Sequence, residues 1–375
     1  MSAEDRPEPD RIDGAPHPRE TERLFGQDRA EAAFLEAYNA GRLHSGWLIT
    51  GPMGIGKATL AYKIATFLLT EQADGAGLFG DAPPVPTSLS VASDHPDLAL
   101  IRAGSHPRLA VVRRPLNEDT GKLRPEITAD PVRKLKSFFH MSAADGGRRV
   151  VIVDAADEMN VTAANSILKE LEEPPARTTI LLLSHQPSGL LPTIRSRCRE
   201  LRCAPLGSDD MAAALAQAGV NVDHPEALAT LSAGSVGEAV RLVNHDGLAM
   251  YADIVRIFSS LPTADRGLAI KLAESCTGKG AEARFPMVLD LLDLFLARLS
   301  RTGLLGEPQS QGASGEARLL TRLSPHAQAA RGWADLQQAL SVRVRHGRAV
   351  NLDPAALILD MVFKIEETAR SVVPA

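Results

Sequence analysis

The stretch Gly51-Pro52-Met53-Gly54-Ile55-Gly56-Lys57-Ala58-Thr59 constrains this chain more than any other. Before it, Gly46-Trp47-Leu48-Ile49-Thr50 is short, apolar and partly β-branched, and reads as a buried strand. After it, Leu60, Ala61, Ile64, Ala65 and Leu68 recur at helical spacing. Strand, glycine-rich turn, lysine and helix are the setting of a phosphate-binding loop. Glycines let backbone N–H groups curl around an anion, the helix N-terminus adds partial positive charge, and Lys57 adds a full one. Gly51, Gly54, Gly56, Lys57, Ala58 and Thr59 are therefore candidate nucleotide-binding residues, with ATP or ADP the ligand such a loop would take. The pattern asks for Ser or Thr directly after the lysine, to hold Mg²⁺. Ala58 stands there instead. Thr59 comes one residue late, and on a helix one residue turns the side chain by about 100°. The plainer alternative is an ordinary glycine-rich turn between a strand and a helix.

A chain of 375 residues has room for two or three domains with real cores. Its hydrophobic content of 44% and charged content of 23% are ordinary for a globular protein. The net charge of −5 carries no basic signature, so nucleic-acid contact would have to be local or made through partners. Cys198, Cys203 and Cys276 form no paired or zinc-ligating pattern. With no signal-peptide pattern, this cysteine usage predicts the reducing cytoplasm. No apolar run approaches the roughly 20 residues of a membrane span.

Along the chain, residues 1–20 are rich in Pro, Asp, Glu and Arg and predict a disordered tail. A helix is expected over Thr21–Arg42, with Ala30, Ala33, Phe34 and Ala37 on one face, and Gly41 ends it. Residues 74–95 read as a loop, and Leu98-Ala99-Leu100-Ile101 as a strand. A helical stripe over Ile127–Phe139 follows. Arg149-Val150-Val151-Ile152-Val153-Asp154 reads as a buried strand ending in a carboxylate. In phosphate-loop proteins such an Asp serves Mg²⁺, and a following Glu activates water. The following residue here is Ala155. Asp154 is a candidate for the nucleotide site; the alternative is a strand-end Asp that caps the next turn.

Asn160 can cap a helix whose apolar face is Ala164, Ile167, Leu168 and Leu171 and which Pro174-Pro175 stop. Glu170, Glu172 and Glu173 crowd its last turn, where the macrodipole disfavours negative charge. They mark either an interaction site or a solvated acidic end. Thr179–Ser184 is a further buried strand, and Pro192-Thr193-Ile194-Arg195-Ser196-Arg197-Cys198 follows. On chemistry alone, Arg197 is a surface residue or a finger directed at a phosphate. Apolar strands alternating with helices imply a parallel sheet covered on both faces. Beyond it the pattern is helical, with an apolar helix over Arg284–Leu299, a loop over Gly303–Gly315, a helix over Pro325–Val344 and a last one opened by Asp353-Pro354.

Four stretches together resemble the clamp-loader subunits of bacterial DNA polymerase III, within the AAA+ class. They are Leu24–Gln27, Gly41–His44 leading into the phosphate loop, Ala163–Pro175 (AANSILKELEEPP) and Leu191–Cys198 (LPTIRSRC). The resemblance covers about residues 20–245 and is only one of type beyond. It implies an α/β AAA+ domain over 21–203, a small helical lid over 204–245 and an all-α collar over 246–375. It also implies that Arg197, the arginine of Ser-Arg-Cys, acts in trans as an arginine finger in a neighbouring subunit's ATP site. The departures share one direction. Ala58 replaces the metal-binding hydroxyl, Ala155 the catalytic Glu, and Gly237 the arginine of a Gly-Ser-x-Arg lid string. The four zinc-holding cysteines of many relatives are missing, so zinc is not expected. The resemblance thus implies a degenerate ATPase site on a subunit that lends an arginine. Its partners would be motor subunits and delta in a hetero-oligomeric ring, with the sliding clamp and primed DNA met through the assembly and no membrane. Two rival readings are an active ATPase that recruits Thr59, and Asp157 or Glu158, as substitutes, and a DNA-binding module acting alone.

Overall fold

The structure is a computed structural model that describes residues 8–71, 85–140, 147–278, 281 and 283–372. The chain divides into two units, Met1–Gly219 with Ser235–Gly237, and Val220–Gly234 with Glu238–Ala375.

In chain order the first unit holds α1 (Asp28–Asn39), β1 (Gly46–Thr50), α2 (Lys57–Thr70), α3 (Pro96–Arg102), β2 (Leu109–Arg113), α4 (Ala129–His140) and β3 (Arg149–Asp154). Then come α5 (Val161–Glu172), β4 (Thr178–Ser184), α6 (Pro192–Arg195), β5 (Arg199–Arg202) and α7 (Ser208–Gln217). The five strands form one parallel sheet in the order β2-β3-β4-β1-β5. Every residue of β1 and β4 is buried, as continuous apolar strands covered on both faces require. In a parallel sheet all carboxyl ends share one edge. The loop after β1 and Asp154 at the end of β3 therefore lie along the same edge, where α/β sheets bind ligands.

The α/β expectation holds, with local corrections. Leu98–Ile101 lies in the helix α3, not a strand. His95 caps that helix by accepting the Asp97 N–H on its side chain, and Pro96 fills the first turn. The edge strand is instead β2, whose Arg113 stands in register with Asp154. The first helix begins at Asp28 rather than Thr21, after Gly26 at φ +69°.

Residues 8–20, expected to be disordered, are packed in turns against this unit; residues 1–7 lie outside the described residues. Ion pairs, rather than apolar burial, hold the segment. Arg113 Nη1 donates to Asp10 Oδ1 and its Nη2 to Glu8 Oε1, each at 2.7 Å. His17 is fully buried with Nε2 at 3.3 Å from Asp10 and 3.5 Å from Glu8. The part of the expected 74–95 loop that is described, 85–95, carries no helix or strand.

The second unit is helical: α8 (Pro225–Ser232), α9 (Val236–Asn244), α10 (Gly247–Phe258), α11 (Arg266–Glu274), α12 (Arg284–Leu305), α13 (Glu316–Leu323), α14 (Ala327–Ala349) and α15 (Pro354–Val372). The first residues of α9 group with the first unit. The long α12 buries Met287, Val288, Leu291, Leu292, Phe295 and Leu299, and Gly306 at φ +88° stops it. Asp353 caps α15 as expected, its carboxylate accepting the Ala356 N–H at 2.9 Å. Among the described residues no helix is long and apolar enough to cross a membrane.

Candidate nucleotide site

Gly51, Gly54 and Gly56 all have positive φ, at 142°, 76° and 99°. A Cβ on Gly51 would lie 2.6 Å from the Cys203 carbonyl oxygen, and one on Gly54 would lie 2.4 Å from Ser235 Oγ. Glycine is therefore required twice over in this loop, by backbone conformation and by close approach. Gly56 precedes α2 without a side-chain cap, which leaves the first-turn amides, including those of Lys57 and Ala58, for an outside acceptor.

The loop's carbonyls are taken one after another. Lys57 Nζ donates to Gly51 O at 2.8 Å and also to Pro52 O. Ser235 Oγ donates to Met53 O at 2.9 Å, and the Gly237 N–H to Gly54 O at 2.9 Å. Gln27 Nε2 donates to Ile55 O at 3.0 Å. Gln27 is buried and also exchanges hydrogen bonds with Ala204, donating to its carbonyl at 2.8 Å and accepting its N–H at 3.0 Å. With its carbonyls bonded to partners, the loop is fixed in one backbone conformation, and N–H groups of such a loop can face an anion.

Lys57 is 3% exposed. Burial pulls its ammonium down to about 8, against the opposing pull of Cys203, Asp154 and Asp157. Burial, with repulsion from Asp10 and Glu158, pushes the Asp154 carboxyl up to about 7, against Lys57 and Arg113. The glycines, the open helix amides and Lys57 fit a nucleotide's phosphates. They do not supply the Mg²⁺ ligand that the pattern calls for, because Ala58 has no side-chain oxygen.

The carboxylates after β3 are committed. Asp157 accepts from Ser184 Oγ at 2.6 Å, from the Gln186 N–H at 3.2 Å and from the His185 N–H, so it ties the turn after β3 to the end of β4. Glu158 pairs with Arg114 at 2.9 Å. Ala155 is buried. Thr59 is also buried, on the first turn of α2.

Arg197 is not part of this constellation. It stands two residues before β5, whose Arg199 pairs with Trp47 at the start of β1. A Cβ on Gly46 would meet the Arg197 carbonyl oxygen at 3.2 Å. Arg197 is thus at the amino edge of the sheet and the phosphate loop at the carboxyl edge, roughly 10 Å or more along the strand axis. Its side chain donates to Thr193 O at 2.9 Å and Ser196 Oγ at 3.3 Å, and pairs with Glu172 at 2.8 Å.

Sequence reasoning does not assign Gln27, Ser235 or Gly237 to the loop. For Gln27 the only signal is its place in the Leu24–Gln27 stretch. Gly237 stands out in the sequence for the side chain it lacks, and the structure gives a use for that lack: a Cβ there would lie 3.0 Å from Gly54 Cα and 2.7 Å from Ile12 Cδ1.

Residues 26–207 match the family described as DNA polymerase III, delta subunit. The subunit delta' of DNA polymerase III from Pseudomonas aeruginosa is 40% identical over 200 residues, 52% of this chain and 55% of that one. The subunit delta' from Escherichia coli is 28% identical over 335 residues, 88% of this chain and 92% of that one. The gamma/tau subunit of the polymerase from Mycobacterium tuberculosis is 30% identical over 204 residues, 53% of this chain and 32% of that one. The chain thus spans about half the length of the Pseudomonas relative. Parallel sheet and phosphate loop make the first unit an α/β phosphate-loop domain. Over residues 26–207 the chain is a homologue of the delta-prime subunits of DNA polymerase III.

Proposed function

We propose that this chain is a non-hydrolysing subunit of a DNA polymerase III clamp loader and lends Arg197 to a neighbouring subunit's ATP site. The observation that carries this reading is the position of Arg197 at the sheet edge opposite its own phosphate loop. An arginine there cannot serve its own site, but it can face the next subunit of a ring. The local chemistry supports the same reading. The metal and water-activating positions are Ala58 and Ala155, and the substitutes that an active ATPase would need, Asp157 and Glu158, are spent on Ser184, His185, Gln186 and Arg114.

In this proposal Gly51, Gly54, Gly56, Lys57, Ala58 and Thr59 hold ATP or ADP as a structural ligand, without Mg²⁺, and Asp154 lies beside it. Residues 21–203 act as the AAA+ domain, 204–245 as a lid and 246–375 as the collar that joins motor subunits and delta. ATP binding by the motors draws them onto Arg197, the ring holds the sliding clamp open on primed DNA in the cytoplasm, and hydrolysis releases it. DNA is met through the assembly, by phosphate contacts that carry little sequence information.

The test is ATP turnover by the purified chain alone, then by the chain mixed with its motor subunits, delta, the clamp and primed DNA. Silence alone and stimulation in the mixture are expected. Arg197→Ala should leave assembly intact and cut turnover at the adjacent site, where such an arginine is worth about 10³ to 10⁵ in rate. Undiminished DNA-stimulated turnover in that variant removes the finger assignment. Turnover by the chain alone, abolished by Lys57→Ala, makes it a motor instead.

A further inference from the structure

We infer that Glu172 is a latch on Arg197, holding the guanidinium until a neighbour's nucleotide phosphate takes its place. The inference rests on the arginine-finger reading above and adds a positioning residue to it.

Glu172 is the last residue of α5. A carboxylate there faces the negative end of the helix dipole and needs a compensating cation. Of Glu170, Glu172 and Glu173, it is Glu172 that forms an ion pair with a described residue, its Oε1 lying 2.8 Å from Arg197 Nη2. The other terminal nitrogen of the same guanidinium donates to Thr193 O and Ser196 Oγ. One end of the fork is therefore fixed by uncharged groups of its own turn, and the other by a single carboxylate.

The two ends differ in what can replace them. The side chains of the pair are 34% exposed for Arg197 and 49% for Glu172, so solvent and an incoming anion reach both. The chain also shows the opposite design. Arg298 pairs with Glu316, which is completely buried and also bonded by Tyr251 and the Gly312 N–H. That pair cannot be traded without leaving a buried charge. The Glu172 pair can, because an exposed ion pair is weak and a terminal phosphate offers more oxygens and more charge to the same planar fork. Release of Arg197 also leaves Glu172 unpaired, so nucleotide must compete with the carboxylate for the arginine. The latch thus raises the ATP concentration at which the neighbouring site is half-saturated, with little effect on the chemical step.

The experiment uses the complete loader, with full-length chain, motor subunits, delta, clamp and primed DNA. Half-saturation is read from turnover and from titration with a fluorescent ATP analogue. Glu172→Gln keeps the side chain's size and removes its charge. It is expected to lower half-saturation about two- to fivefold, the range of an exposed ion pair, while maximal turnover changes less than about twofold. In an Arg197→Ala loader the same substitution should leave half-saturation of the analogue unchanged. Loss of turnover in Arg197→Ala with no effect of Glu172→Gln overturns the latch and leaves the finger standing. An effect of Glu172→Gln that persists without Arg197 also overturns it, because Glu172 then acts on the nucleotide by another route. Full turnover in Arg197→Ala overturns the finger and the latch together.

Discussion

Lys57 Nζ donates to the Gly51 carbonyl oxygen at 2.8 Å, so the one cation of the phosphate loop is bonded to the residue that opens it. The ammonium is buried, and burial has drawn its titration down to about 8. Two pH effects follow. In the native state Lys57 loses its proton near 8, whereas the unfolded chain holds it to about 10.5, the ordinary value. Between these limits the unfolded state binds more protons, so the free energy of unfolding should rise with pH. Urea midpoints across this window should rise less in Lys57→Met than in the parent. Nucleotide affinity moves the other way: ADP binding should weaken by about tenfold from pH 7 to 9 as the cation disappears, and should be flat in Lys57→Met. Isothermal titration at the two pH values checks both proteins.

Gln27 is expected to behave as a structural part of the loop. Its amide serves Ile55 O, Ala204 O and the Ala204 N–H from a buried position. Gln27→Ala strands those groups away from water and should cost about 2–4 kcal/mol. Gln27→Glu keeps an acceptor for Ala204 but turns negative oxygen towards two carbonyls, and should be no better. Denaturant unfolding of both variants tests this, and a loss under about 0.5 kcal/mol for Gln27→Ala would contradict it.

Placing at position 237 the arginine that the clamp-loader resemblance implies for a Gly-Ser-x-Arg string should not create a working ATP site. Gly237 donates its N–H to Gly54 O, and even a methyl there would press on Gly54 Cα. Gly237→Arg is expected to push the 235–237 segment off the loop, destabilise the first unit by about 1–3 kcal/mol and lower nucleotide affinity. Gly54→Ala should act in the same direction through Ser235 Oγ and its own positive φ. A gain of ATP turnover in Gly237→Arg would contradict this reading of the contact.

How far the site is legible in the sequence depends on the range of the forces involved. The loop can be read directly, because the glycine spacing and the strand before it are local signals. The core strands β1, β3 and β4 can be read because they are apolar throughout. Strand β2 cannot, since Leu109–Arg113 is only partly buried and carries its own charge. Leu98–Ile101 reads as a strand because four apolar residues fit a strand or a helix equally, and the cap from His95 decides for the helix. The hydrogen bonds of Gln27 and Ser235 to the loop span 28 and 182 residues of chain, and that of Gly237 is as distant as Ser235's. No periodicity reports such separations. Arg197 is legible as a residue but not as a position: only the register of β5 on β1 shows which edge of the sheet it occupies.

The same long range explains the N-terminal segment, and yields the last prediction. Composition assigns residues 8–20 to disorder because they bury little apolar surface, yet Asp10 is held in an almost closed site by Arg113 and His17. Burial would raise the Asp10 carboxyl, but hydrogen bonding to His17 and the charge of Arg113 outweigh it and draw it down to about 2. A carboxyl lowered on folding contributes stability that is complete above its ordinary value of 3.8 and is lost as pH falls from there through about 2. The full contribution is on the order of 2–3 kcal/mol. Arg113→Met should therefore lower stability by about 3 kcal/mol at pH 7, where it leaves the Asp10 charge buried without its partner. Near pH 2.5 the deficit should shrink, because the variant's Asp10 is by then protonated and carries no charge to strand. Asp10→Asn in the Arg113→Met protein should recover part of the loss at pH 7 for the same reason. Urea midpoints of the parent and both variants at the two pH values decide it, and an Arg113→Met deficit that is equal at the two would mean that the guanidinium stabilises this segment by packing rather than by charge.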